Sequence, residues 1–190
     1  MGRDDWLIGD RRGAAIDRIY TAAADLVSRK GFAAFTIEAL ATKVHCSPAT
    51  IYRQVGGKTV ILEGVIQRYS ASIVESVREA VAGLSGSDRI VTAIIVALER
   101  VRAEPLGQLV MGAIRPDDHS GLFTSSPVVA GLAEEMVGRP DPLAAQYLIR
   151  IYFALWYWPV NDRDTEYQLV QRFVGPSFET PPPESSHRTH

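Results

Sequence analysis

Residues 36–58 read Thr-Ile-Glu-Ala-Leu-Ala-Thr-Lys-Val-His-Cys-Ser-Pro-Ala-Thr-Ile-Tyr-Arg-Gln-Val-Gly-Gly-Lys. A helix starts at Thr36, whose hydroxyl can cap the orphan amides, with Glu38 in the positive first turn. Ile37, Leu40, Ala41 and Val44 recur at helical spacing, so one face packs inward. His45-Cys46-Ser47 is the turn. A second helix opens with Ser47 as N-cap and Pro48 at its first position. Ile51 and Val55 pin that helix to a core and leave Ser47, Ala49, Thr50, Tyr52, Arg53 and Gln54 toward water or a groove. The whole reads as a helix-turn-helix with a recognition helix.

Two short helices joined by a tight turn occur in many all-α proteins, so the flanks matter. Upstream, residues 11–31 form an amphipathic helix along Ile16, Ile19, Tyr20, Ala23 and Val27, ending at the C-cap residue Gly31. Downstream, Gly56-Gly57-Lys58 breaks the chain before a fourth helix to about Val81. Further helices are expected to about Ala103 after Ser85-Gly86-Ser87, over Leu106–Ile114, over Pro127–Val137, from Pro140-Asp141-Pro142 to Trp158, and over Asp162–Val174. Arg115 to Gly121 reads as a loop. No strand-like alternation competes, so the chain is all-α with about nine helices: an N-terminal three-helix DNA-binding domain at 1–57, a helical domain at 58–178 and a disordered Pro/Ser-rich tail at 179–190.

Gly31-Phe32, Thr36, Leu40-Ala41, Ser47-Pro48-Ala49-Thr50-Ile51-Tyr52, Lys58 and Leu62 together resemble the N-terminal domain of the tetracycline-repressor (TetR) family of transcription regulators. The resemblance covers roughly residues 11–66. His45 departs from it by replacing the usual turn Gly, Cys46 a Val, Val55 a Phe, and Gly57 a Ser or Asp cap. None of these removes a DNA-contacting group.

From the recognition helix itself, Thr50 and Arg53 are candidates for base edges, with Ser47, Pro48 and Gln54 beside them. The amide end of the first short helix at Thr36 suits a phosphate. The resemblance implies that Tyr52 and Lys58 hold phosphates too; for Tyr52 the alternative is packing against helix one. Arg11 and Arg12 are candidates for an N-terminal arm, weakened by Asp4, Asp5 and Asp10. A palindromic double-stranded operator requires a two-fold protein.

The segment Leu143–Trp158 is apolar nearly all round, with only Gln146 and Arg150 frankly polar, so it needs cover on several sides. It is either a central core helix or a helix shared with a partner. The resemblance implies a homodimer whose last two helices form a four-helix interface, with Phe153, Tyr157, Trp158, Leu169 and Phe173 as its side chains. It also implies a small-molecule effector in the second domain, walled by helices five to eight. Apolar or aromatic positions there are Ile94, Leu98, Met111, Phe123, Tyr147, Ile151 and Trp156, each equally able to be ordinary core. Helix four would be the lever between the domains.

Composition bounds the rest. The 190 residues are 46% hydrophobic and 22% charged, with a net charge of −2. Residues 1–58 hold nine Arg and Lys against six acids, about +3, so the remainder carries about −5. This is a mildly basic head on an acidic body. No secretion signal opens the chain, and the apolar run 147–160 is too short to span a bilayer. One cysteine allows no internal disulfide, which suits a reducing cytoplasm. The four histidines (45, 119, 187 and 190) show no paired-ligand spacing and no Gly loop cradles phosphate, so no enzyme, metal or cofactor is expected. Asp117-Asp118-His119 reads as a solvated cluster and Cys46 as a buried small apolar residue. A helical small-molecule-binding or dimerisation module that no longer reads DNA remains the alternative, against which the retained Thr50, Tyr52 and Lys58 speak.

Overall fold

The computed structural model describes residues 5–113 and 127–179, with side chains at 12–112 and 129–179. Phe123, the 117–119 cluster, the Arg11 side chain and the tail beyond 179 lie outside the described residues. Among those described, the chain forms nine α-helices and no strand. Two compact units arise, one from the described parts of Met1–Ile73 with Val101–Arg115, the other from those of Val74–Arg100 with Pro116–His190.

The first unit begins with α1 (Asp5–Ala34), which starts earlier than the apolar repeat suggested. Its helical geometry breaks at Gly31, where φ is 78° and ψ 167°, a conformation that only glycine enters without strain. Then come α2 (Ile37–Val44), α3 (Pro48–Val55) and the first part of α4 (Lys58–Ala80). Ile19, Ala23, Val27, Phe35, Leu40, Ile51, Ile61 and Val65 form the buried centre. To this head the chain adds α6 (Pro105–Ala113), which packs on α1 and buries Leu106, Val110 and Met111.

Gly107 lets α6 come close. A Cβ there would overlap the Tyr69 hydroxyl and the Val101 carbonyl oxygen. Tyr69 is buried, and its hydroxyl has no hydrogen-bond partner among the described residues. Burial, aided by the Glu104 carboxylate, pushes that hydroxyl up to about 12, so it stays neutral.

The second unit holds the end of α4, most of α5 (Gly86–Ala103), α7 (Pro127–Val137), α8 (Pro142–Tyr157) and α9 (Arg163–Leu169). Its core includes Val77, Ile90, Ile94, Leu98, Met136, Leu148, Ile149 and Leu155. α7 packs along α8 after the short link at Gly138, which has φ 74°. A bidentate pair ties Arg78 of α4 to Glu135 of α7 at 2.8–3.1 Å. The Arg78 guanidinium holds the Glu135 carboxyl below its ordinary value. Asp141 and Asp162 cap α8 and α9 by accepting from the Ala144 and Thr165 amides at 3.0 and 2.8 Å.

The last helix differs from expectation. α9 ends at Leu169, and a widened π turn covers Val170–Val174 before a 3-10 turn at Gly175–Phe178. Pro176 explains this: it supplies no N–H, and its ring disfavours the carbonyl position four residues back. The Gly175 N–H reaches Val170, five residues back, instead.

Two glycines should respond with opposite sign. Gly107→Ala should cost about 1–3 kcal/mol by overpacking. Gly131→Ala, in α7 with open space around it, should gain roughly 0.5–1 kcal/mol of helix propensity. Urea melts of the two variants check this. On the acid side, Asp162 and Asp141 are both held low, Asp162 chiefly by the Thr165 hydroxyl and Asp141 by the Ala144 amide. Carboxylates with depressed folded values stabilise fully above their unfolded values, and that contribution is lost as pH falls through the folded ones. The melting temperature should therefore drop below about pH 4. Asp141→Asn with Asp162→Asn, which keeps both caps but not their charge, should make that drop shallower in circular-dichroism melts.

Candidate nucleic-acid interface

α2 starts as its sequence dictates. Thr36 is extended (φ −133°, ψ 153°), and its Oγ1 accepts from the Ala39 N–H at 3.1 Å. At the other end His45 takes the left-handed conformation, φ 56° and ψ 46°. The amide of Cys46 closes the helix on the Ala41 carbonyl at 3.1 Å. So the position where the family resemblance expects glycine keeps that backbone geometry while carrying a histidine. Cys46 is partly exposed rather than buried.

Ser47 then caps α3. Its Oγ accepts from the Thr50 N–H at 3.2 Å and lies 2.9 Å from the Thr50 Oγ1. Ile51 and Val55 are buried, which sets the roll of the helix about its axis. At about 100° per residue, Arg53 stands roughly 160° from both, and Ala49 within roughly 40° of Arg53. Pro48, Ala49, Tyr52 and Arg53 are accordingly exposed. Tyr52 is 56% exposed, with its ring edge beside Gly57, and so projects from the module. Arg53 meets no carboxylate among the described residues and presents a free guanidinium.

Lys58, exposed at the start of α4, donates to the Ala33 carbonyl at 3.4 Å. Asp25 of α1 pairs with Lys43 of α2 at 2.7 Å and with Arg29 at 2.8 Å, and both cations hold its carboxyl low. That clamp fixes α2 on α1 without using the outward face of α3.

Two side chains are less available than the sequence suggested. The Thr50 hydroxyl is engaged with Ser47. The Oε1 of Gln54 is buried, with no hydrogen-bond partner among the described residues. Ala49 joins the outward face, but a methyl group carries no motif signal. Only the roll set by Ile51 and Val55 points to it.

The candidate lining residues of the second domain are placed differently. Ile94 and Leu98 are core of the second unit, while Met111 belongs to the first. Tyr147 is partly exposed and stacks on Phe178, with ring centroids 5.7 Å apart. Ile151 and Trp156 are half-buried.

Residues 19–65, which carry this geometry, match the family described as bacterial regulatory proteins, tetR family. That match lies within the first unit and covers its helix-turn-helix. Two Mycobacterium tuberculosis proteins, named as uncharacterized HTH-type transcriptional regulators MT1294 and Rv1255c, are each 26% identical over 184 residues, 93% of this chain and 91% of theirs. Among solved structures, the TetR family repressor AlkX from Dietzia sp. strain DQ12-45-1b shares the fold. Its TM-score is 0.57 at 19% identity, covering 85% of this chain and 93% of that one. The superantigen PfiT shares it as well, with a TM-score of 0.60 at 17% identity over 86% and 94%. Residues 19–65 are thus the DNA-binding module of a transcriptional regulator. No described helix is long and apolar enough to cross a membrane.

The left-handed His45 gives a local test. A non-glycine residue there is strained, so His45→Gly should raise stability by about 0.5–1 kcal/mol, the left-handed penalty less glycine's added unfolded-state entropy. Thermal melts at constant pH check the sign.

Proposed function

We propose that this regulator is a homodimeric repressor that holds a palindromic operator and releases it when a small apolar or aromatic molecule binds the second domain. That domain is taken as residues 58–178, with residues 1–57 as the reading head. The observation that carries the reading is the exposed face of α3. Its Arg53 and Tyr52 are exposed, as are Thr36 and Lys58 of the same unit, so a groove and its flanking phosphates could be met by one module.

Dimerisation finds support in the second unit. Leu143 is 82% exposed, Trp158 71% and Phe173 65%, with Tyr147, Tyr167 and Leu169 exposed as well. Phe153 and Tyr157 are half-buried. So much apolar surface on α8 and the segment after it is unusual on a monomer, and aromatic residues are enriched where subunits meet. Two-fold symmetry then matches two heads to two half-sites.

Release follows from population shift. An effector that prefers the DNA-incompetent spacing of the heads displaces the equilibrium by its differential affinity for the two states. α4, whose residues contribute to both units, is the natural lever. Tyr52 and Lys58 would hold phosphates by a hydroxyl and an ammonium, and such contacts make affinity fall with salt.

Fluorescence anisotropy against DNA from upstream of the protein's own gene, at two salt concentrations, tests the reading. Nanomolar, sequence-selective binding is expected. A Tyr52→Phe, Lys58→Ala variant should bind more weakly to all sequences and lose about one unit of salt slope. Light scattering should give a dimer mass, and Phe173→Glu with Trp158→Ser should give a monomer. If selection from random duplexes yields no preferred sequence, the regulator reading fails.

A further inference from the structure

We infer that base reading by this head is confined to a two-residue ridge, Ala49 and Arg53, which recognises a thymine methyl and a guanine within about two base pairs of each other. The inference deepens the proposed function and rests on it.

The polar inventory of α3 leads there. The Ser47 and Thr50 hydroxyls lie 2.9 Å from each other, and the Ser47 Oγ also holds the Thr50 amide. Turning the Ser47 hydroxyl toward a base would uncap the helix, since an unmet N-cap leaves orphan amides, and turning the Thr50 hydroxyl would give up its bond to Ser47. The Gln54 carbonyl oxygen is buried. The two-point pairing of a Gln with adenine needs that oxygen as acceptor, so Gln54 cannot make it without leaving its place. Tyr52 lies on the flank of the helix, with its ring edge beside Gly57. Arg53 is the one side chain on the outward face with charged donors that no other described group engages. Its fork fits guanine O6 and N7.

Ala49 stands one turn before Arg53 on the same ridge. Four residues of helix span about 6 Å, close to two base-pair steps. Its exposed methyl offers no hydrogen bond. What it can recognise in a major groove is another apolar group, and thymine's C5-methyl is the only one the groove presents.

The experiment uses the full chain and the consensus duplex recovered by selection. Each guanine in the half-site is replaced by 7-deazaguanine, and each thymine by deoxyuridine, which lacks the methyl. One guanine position should lower affinity about tenfold or more. One thymine within two base pairs of it should lower affinity about threefold. Arg53→Ala should abolish the response to 7-deazaguanine and spare that to deoxyuridine; Ala49→Gly should do the reverse. Binding of both variants to an unrelated duplex at low salt, with unchanged circular dichroism, shows that the head is folded. A consensus that lacks either response, or responses that persist in the matching variants, overturns the ridge while leaving the regulator intact. No consensus at all overturns both.

Discussion

Burial of Ile51 and Val55 is the constraint on which the DNA-facing surface depends. α3 is only eight residues long, too short to be stable alone, so packing rather than propensity gives it both existence and orientation. Two apolar side chains one turn apart fix its roll about the axis. Once they are inside, Arg53 and Ala49 must be outside, whatever their own chemistry prefers. The caps at Thr36 and Ser47, the left-handed turn at His45 and the Asp25 clamp hold α2 and α3 in the register that lets those two residues reach the core.

Much of this was legible in the sequence because capping and turn chemistry are local. Thr36 and Ser47-Pro48 mark their helix starts within a residue of where the structure has them, Asp141 and Asp162 do the same for α8 and α9, and Gly31 marks a break inside α1 rather than its end. The start of α1 was missed because residues 5–10 carry no apolar repeat to announce a helix. The π turn at Val170–Val174 was missed because periodicity cannot distinguish i→i−4 from i→i−5 bonding; only Pro176 hinted at it. At the site, residue type pointed to Arg53 and the family resemblance to Tyr52. Neither signal could show that the Thr50 hydroxyl pairs with Ser47 or that the Gln54 carbonyl oxygen is buried, and the outward Ala49 carries no polar group for either to single out.

The second unit shows how far pattern reaches. Leu143–Trp158 reads as apolar all round, yet the structure divides it: Ala145, Leu148, Ile149 and Leu155 face the core, while Leu143, Tyr147 and Trp158 stay exposed. Hydrophobicity alone does not distinguish a face that has found its partner within the chain from one that has not. Nor does shared fold carry function. AlkX and PfiT have nearly equal structural likeness to this chain under very different descriptions. What ties this protein to DNA is the residue-level match at 19–65 and the outward face that those residues build.

Hydrogen–deuterium exchange of the full chain with and without its selected operator duplex tests the central claim most directly. Slowed exchange should concentrate in residues 36–58, across α2, its turn and α3, and should disappear for the Arg53→Ala variant at the same duplex concentration. Slowing confined to other segments, or unchanged in that variant, would contradict the claim that α3 reads the DNA.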